Sequence, residues 1–120
     1  MLVSKDLMAK KCQPCGKTTS ALSVQEARDH LAQVPAWTLA ADGKNISRDL
    51  MMKDFLTAVR LVNQIAQIAE SEDHHPDLHL TNYRKLRIEL ATHSIGGLSE
   101  NDFILAAKIE GLPKELKKSA

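Results

Sequence analysis

Apolar residues along the chain repeat with two periods, and the changes between them mark out its elements. Val24, Ala27 and Leu31 make a short helical stripe behind Ser23 and Glu26, a capping-box spacing, so a first helix is expected to about Gln33, ended by Pro35. Trp37 and Leu39 alternate with polar neighbours up to Asp42-Gly43, a two-residue turn signal, and Ile46 to Met52 reads as the return strand. Phe55, Val59, Val62, Ala66 and Ala69 then step by four, three, four and three, one face of a long helix from about Lys53 to Asp73. Leu61, Ile65 and Ile68 widen that stripe enough to suggest a sheet on one side and a partner on the other. Pro76 cannot continue a helix and pushes its predecessor toward extended dihedrals, so the helix stops near His75. Leu78 and Leu80, and later Leu86, Ile88 and Leu90, alternate as strands do. They read as a hairpin turning around Asn82 to Lys85, with one long strand as the alternative. Gly96 and Gly97 break the pattern, and Ser99 with Asp102 opens a last helix. Phe103 to Ala107 and Ile109 are apolar nearly all round, so this helix should be deeply packed until it ends near Gly111.

The order helix, strand, strand, helix, strand, strand, helix suits an α+β fold, one antiparallel sheet with helices covering one face. Residues 1–20 lack a period and are expected to form a flexible N-terminal arm, residues 21–112 the domain, and residues 113–120 a frayed C-terminal tail. At 120 residues and 43% apolar content, a single domain burying roughly two thirds of its extended surface is the simplest organisation. A formal charge of +1, spread without long blocks, gives no reason to expect phosphate-driven nucleic-acid binding. The longest apolar run, Phe103 to Ala107, is too short to span a bilayer, and the first eleven residues lack the apolar core of a signal peptide. A soluble, cytoplasmic protein with no membrane partner is expected.

Candidate chemistry gathers in one stretch. Glu70 to Ser94 holds four of the five histidines. His74 and His75 sit at a helix exit, where side chains can face a cleft, and Glu70 lies four residues before His74, within reach on the same helical face. A carboxylate there would favour a charged or tautomerically fixed imidazole. His93 falls on the strand face opposite the leucines, so it and the pair beside Pro76 could meet. His75 and His79 have a helical metal-ligand spacing, but Pro76 between them precludes a regular helix, and on a strand they would converge poorly. Cys12 and Cys15 form a lone CxxC. Two cysteines fall short of a structural zinc site, and the Gly16 to Ser20 loop after them does not open a redox helix, so reduced thiols in a flexible arm are expected.

Glu70, the run His74-His75-Pro76, Tyr83, His93 and then GGLSEND leading into an apolar helix resemble the pterin-4a-carbinolamine dehydratase family. The resemblance runs from about Leu22 to Glu110 and takes in Trp37 and the KDF at Lys53 to Phe55. It implies a four-stranded antiparallel sheet with three helices on one face. It also implies a homo-oligomer, dimer or tetramer, assembled through sheet edges and the long helix. The implied reaction is dehydration of 4a-hydroxytetrahydropterin to quinonoid dihydropterin and water, in support of aromatic amino acid hydroxylases that recycle tetrahydrobiopterin. His74, His75 and His93 are implied as active-site imidazoles with Asp102 in the catalytic set. Substrate contacts are implied from His74 to Pro76 and from Thr92, His93, Ser94 and Ile95, with no metal or other cofactor. Glu70 and Asp102 would hold imidazoles in one tautomer. Animal relatives that bind a transcription factor, and relatives that serve as assembly chaperones, make a non-catalytic interaction protein the rival reading.

Overall fold

In the computed structural model, which describes residues 5–13 and 20–118, the alternating runs pair as expected into one antiparallel sheet. Its strands are β1 (Thr38–Leu39), β2 (Ile46–Met51), β3 (Asp77–Thr81) and β4 (Lys85–Leu90), in the spatial order β1-β2-β4-β3. The register sets apolar residues opposite one another: Ile46 faces Leu90, Leu50 faces Leu86, and Leu78 and Leu80 face Ile88 and Leu86. With a side-chain period of two, all of these point to one side, and Ile46, Leu50, Leu86, Ile88 and Leu90 are buried there. The opposite face is open and charged, with Arg87 bridging Asp49 and Glu89, and His79 against Glu89 at 2.8 Å. The β3–β4 link is the hairpin reading rather than one long strand. Asn82, Tyr83 and Arg84 link Thr81 to its partner Lys85, and Asn82 and Tyr83 both take left-handed dihedrals (φ 47° and 53°), which lets so short a link reverse the chain.

Helices cover the apolar face. They are α1 (Lys5–Ala9), α2 (Val24–Leu31), α3 (Phe55–Glu72) and α4 (Glu100–Glu110), with a 3-10 turn at His93–Ile95. Ser23 and Glu26 cap α2 reciprocally, as their spacing predicts. Asp54 and Thr57 do the same for α3. In α4 every residue from Asn101 to Ala107 is buried, which makes it the element that α1, α2 and α3 all touch. Glu110 at its end accepts from Trp37 Nε1 at 2.9 Å and Arg48 Nε at 2.8 Å, neutralising the one cation on the apolar side of β2.

The buried face of α3 differs from the stripe expected of it. Ala58, Leu61, Ile65 and Ala69 turn inward, whereas Phe55 and Ala66 are exposed and Val59 and Val62 only half-buried. Both stripes have helical spacing and lie side by side. Periodicity therefore gives the width of the apolar surface but not which edge of it meets the sheet.

Both chain ends are also more engaged than expected. The flexible-arm expectation for residues 1–20 is corrected for residues 5–13: Leu7 is buried in the core, and Lys108 Nζ donates to Met8 O at 2.8 Å. One leucine over an otherwise apolar α4 surface is enough to hold a short helix, though too small a signal to read as a period. Cys12 belongs to this docked stretch, while Cys15 lies outside the described residues. The frayed-tail expectation is corrected as well. Lys53 N donates to Glu115 O and Lys117 N to Met51 O, extending the edge of the sheet, and Lys114 Nζ caps α4 through three carbonyls. Among the described residues no helix is long and apolar enough to cross a membrane. If α1 is a docked part of the core, Leu7→Ala lowers unfolding free energy by about 2 kcal/mol in urea denaturation; a free arm would leave it unchanged.

Candidate active site

The site is built where α3 ends. Asp73 takes left-handed dihedrals (φ 51°, ψ 42°) and its N–H reaches back to Ala69 O and Glu70 O, a turn that an aspartate tolerates better than most residues. That turn breaks the helical projection on which the Glu70–His74 pairing was based. His74 swings to the start of α4, where its Nε2 lies 2.6 Å from Asp102 Oδ1. Glu70 instead meets His75, Oε2 to Nε2 at 3.1 Å, with both side chains largely in solvent. The expected Glu70–His74 contact is therefore replaced by two separate carboxylate–imidazole pairs, of which only the Asp102 pair is shielded from water.

Asp102 is fully buried, and both of its oxygens are used. Oδ2 accepts from Ser99 N at 3.0 Å and from the Thr92 hydroxyl at 2.8 Å. Since Thr92 has a single hydroxyl proton and gives it to Asp102, Ser99 Oγ donates to Thr92 Oγ1 across their 2.8 Å contact. Asp102 lies in the first turn of α4, where N–H dipoles also favour a negative charge. An ionised carboxylate only accepts, so His74 carries its proton on Nε2. Its Nδ1 has no hydrogen-bond partner among the described residues.

His93 does not continue β4, contrary to the alternation argument. The strand ends at Leu90, and Thr92 and Gly97 then pair through their backbones, pinching off residues 93–96 as a small loop. Gly96 closes it with φ 66°, a left-handed position that favours glycine. His93 is exposed; its carbonyl accepts from Gly96 N, and its imidazole makes no hydrogen bond or ion pair among the described residues. The Thr92–Asp102 bond fixes the base of this loop.

His74, Thr92 and Ser94 thus converge on a cleft of about 360 Å³, in the size range of small-molecule sites. His75, Pro76, His93 and Ile95 adjoin these residues in sequence but do not line it. Five other lining residues were not expected at the site: Asp73 at the turn after α3, and Cys12, Gln13, Glu72 and Asn101, the last four joined by contacts across sixty or more positions that no local pattern encodes. Burial, and next the negative charge of Glu72, push the Cys12 thiol up to about 12. A larger depression of about 580 Å³ lies on the open sheet face. There Arg87, Asp49 and His79 are already spent on one another and on Glu89, so the smaller cleft is the better candidate for chemistry. Among the described residues no group of three or more His, Cys, Asp or Glu side chains could hold a metal ion.

Comparison with known proteins agrees on one family. The profile of pterin 4 alpha carbinolamine dehydratase matches residues 20–112. The chain is similar to pterin-4-alpha-carbinolamine dehydratase 2, mitochondrial, of Arabidopsis thaliana, at 48% identity over 92% of this chain but only 60% of the plant protein's length. It is 42% identical to a putative pterin-4-alpha-carbinolamine dehydratase of Halorhodospira halophila, over 88% of this chain and 96% of that one. Its fold resembles the crystal structure of a transcriptional coactivator/pterin dehydratase from Brucella melitensis, with TM-score 0.70 and 33% identity, over 76% of this chain and 96% of the other.

Removing the buried carboxylate should be costly, because three donors lose their acceptor at once. Asp102→Ala is expected to lower stability by about 3 kcal/mol in chemical denaturation. Glu70→Ala, at the solvent-exposed pair, should leave it nearly unchanged.

Proposed function

Because the chain belongs to the pterin 4 alpha carbinolamine dehydratase family, we propose that it is a hydro-lyase converting 4a-hydroxytetrahydropterin to quinonoid dihydropterin and water. The observation that carries this reading is Asp102, which holds His74 through one oxygen and the base of the His93 loop through the other. One imidazole, and the base of the loop that carries the other, are thereby tied to one buried anion.

Dehydration of a carbinolamine moves two protons. The N5 proton leaves as the C4a=N5 double bond forms, and the departing 4a-hydroxyl takes up a proton to become water. No electrons change hands overall, so a base and an acid titrating near neutrality suffice. In this reading His74 and His93 share these roles. His74, with Nε2–H committed to Asp102, presents Nδ1 as the base, and the positive charge it gains is balanced by the carboxylate behind it. His93 hands its proton to the hydroxyl, and His75 orients the ring. Pro76, Thr92, Ser94 and Ile95 complete the substrate-binding set, and Glu70 steadies His75. The reaction would serve tetrahydrobiopterin recycling by an aromatic amino acid hydroxylase. Cytoplasmic action is part of the proposal, although the similar plant protein is named mitochondrial.

Self-association is proposed alongside. Phe55 and Leu56 at the start of α3 are 55% and 63% exposed, and β3 leaves a sheet edge open, two surfaces suited to further copies of the chain. Light scattering should then give a multiple of the 13.3 kDa chain mass, reduced by Leu56→Glu. A constant 13.3 kDa would reject assembly.

The decisive assay follows breakdown of 4a-hydroxytetrahydropterin with and without the protein, in the presence of a chelator. Chelator-resistant acceleration is expected. His74→Ala and His93→Ala should each lower it by about 10²-fold or more while leaving the oligomer intact. Full activity in both variants would reject the histidine mechanism.

A further inference from the structure

We propose that the strap Lys10–Gln13 is a working wall of the substrate cleft, one that sets how tightly the flat pterin ring is held against His74. This deepens the dehydratase reading and rests on it. The strap lies outside residues 20–112 that the family profile matches, yet Cys12 and Gln13 line the same cleft as His74 and Thr92.

Its attachment is specific. Asn101 grips the Gln13 backbone at both ends of one residue: Oδ1 accepts from Gln13 N at 2.9 Å, and Nδ2 donates to Gln13 O at 2.5 Å. Glu72 Oε1 accepts from Cys12 N at 2.8 Å, and the Cys12 thiol donates to Asn101 O at 3.6 Å. Lys10 reaches Glu100 at 3.2 Å from the outer side.

Glu72 is the telling member of this set. Its side chain is 6% exposed, in the last turn of α3, where the helix dipole disfavours a negative charge, and Glu70 and Asp73 stand close by in sequence. Helix stability therefore gives no reason for a buried carboxylate at this point. The Cys12 N–H does, because it supplies the donor that a buried acceptor requires. Asn101 in turn is the neighbour of Asp102, so the strap is fastened to the same helix start that orients His74. A segment bound at both Glu72 and Asn101 fixes one side of the cleft, and a shift of about 1 Å in such a wall is enough to weaken positioning of a rigid ring.

Variants that release the strap without altering an imidazole test this. Gln13→Pro removes the N–H given to Asn101, and Glu72→Ala removes the acceptor of Cys12 N. Each is expected to raise KM about fivefold with kcat within about twofold. Glu72→Gln, which keeps an acceptor oxygen, should rescue most of that loss. An independent measurement on the unaltered protein is alkylation of Cys12 by iodoacetamide, resolved from Cys15 by peptide mass mapping. It should slow several-fold when 7,8-dihydropterin, which has the ring but no 4a-hydroxyl, fills the cleft, and it should speed up in Gln13→Pro. Unchanged KM in both releasing variants, a Glu72→Gln as impaired as Glu72→Ala, or Cys12 alkylation indifferent to bound 7,8-dihydropterin would each overturn the strap while the dehydratase reading stands. An unaltered protein that fails to accelerate dehydration overturns that reading, and the strap's role with it.

Discussion

A carboxylate removed entirely from water dominates the organisation of this chain. Burying an unpaired charge costs several kcal/mol, so Asp102 is tolerable only because hydrogen bonds satisfy both of its oxygens. Those bonds come from three places: the turn after α3, the loop after β4, and the start of α4 itself. The requirement that one buried anion be satisfied thereby fixes the relative positions of segments that the sheet alone would leave loosely related. It also does chemical work, since the oxygen left over by Ser99 and Thr92 is the one that sets the tautomer of His74.

The sheet and α4 supply the rigid background for that arrangement. Ile46, Leu50, Leu86, Ile88 and Leu90 form a continuous apolar floor, and α4 is buried along almost its whole length against it. An element packed on every side cannot rotate to relieve a strained contact, so the position of Asp102 follows from the packing of Phe103 to Ala107 behind it. The open face of the sheet is handled differently. Its charges pair across strands and remain in water, where each contact contributes little and asks for no fixed geometry.

What could be read from the sequence divides along the same line. Periods of two and 3.6, capping residues and turn residues report local constraints, and they located the four strands and three longer helices to within a few positions. Of the site residues expected within the family-like run from Glu70 to Asp102, His74, Thr92 and Ser94 line the cleft. Failures came where geometry depends on a single dihedral or a distant contact. One left-handed residue, Asp73, redirected His74 from Glu70 to Asp102, and no spacing rule anticipates that. The choice of inward face for α3 turned on which of two equivalent stripes meets the sheet. Leu7 and the strap beyond it were invisible because their partners lie at the other end of the chain.

These failures share a physical cause that bears on function. Asp73, Glu72 and Asn101 are polar residues at helix ends, where the backbone has spare donors and acceptors and the side chain is not committed to the core. Helix ends can therefore be redirected by one or two hydrogen bonds at little cost to the fold. The cleft is assembled almost wholly from such ends: the exit of α3, the entry of α4, the loop closing β4 and the strap behind α1. A site made this way gains freedom to place imidazoles and walls independently of the sheet. Its precision then depends on buried acceptors such as Asp102 and Glu72, each of which accepts only a narrow range of donor positions.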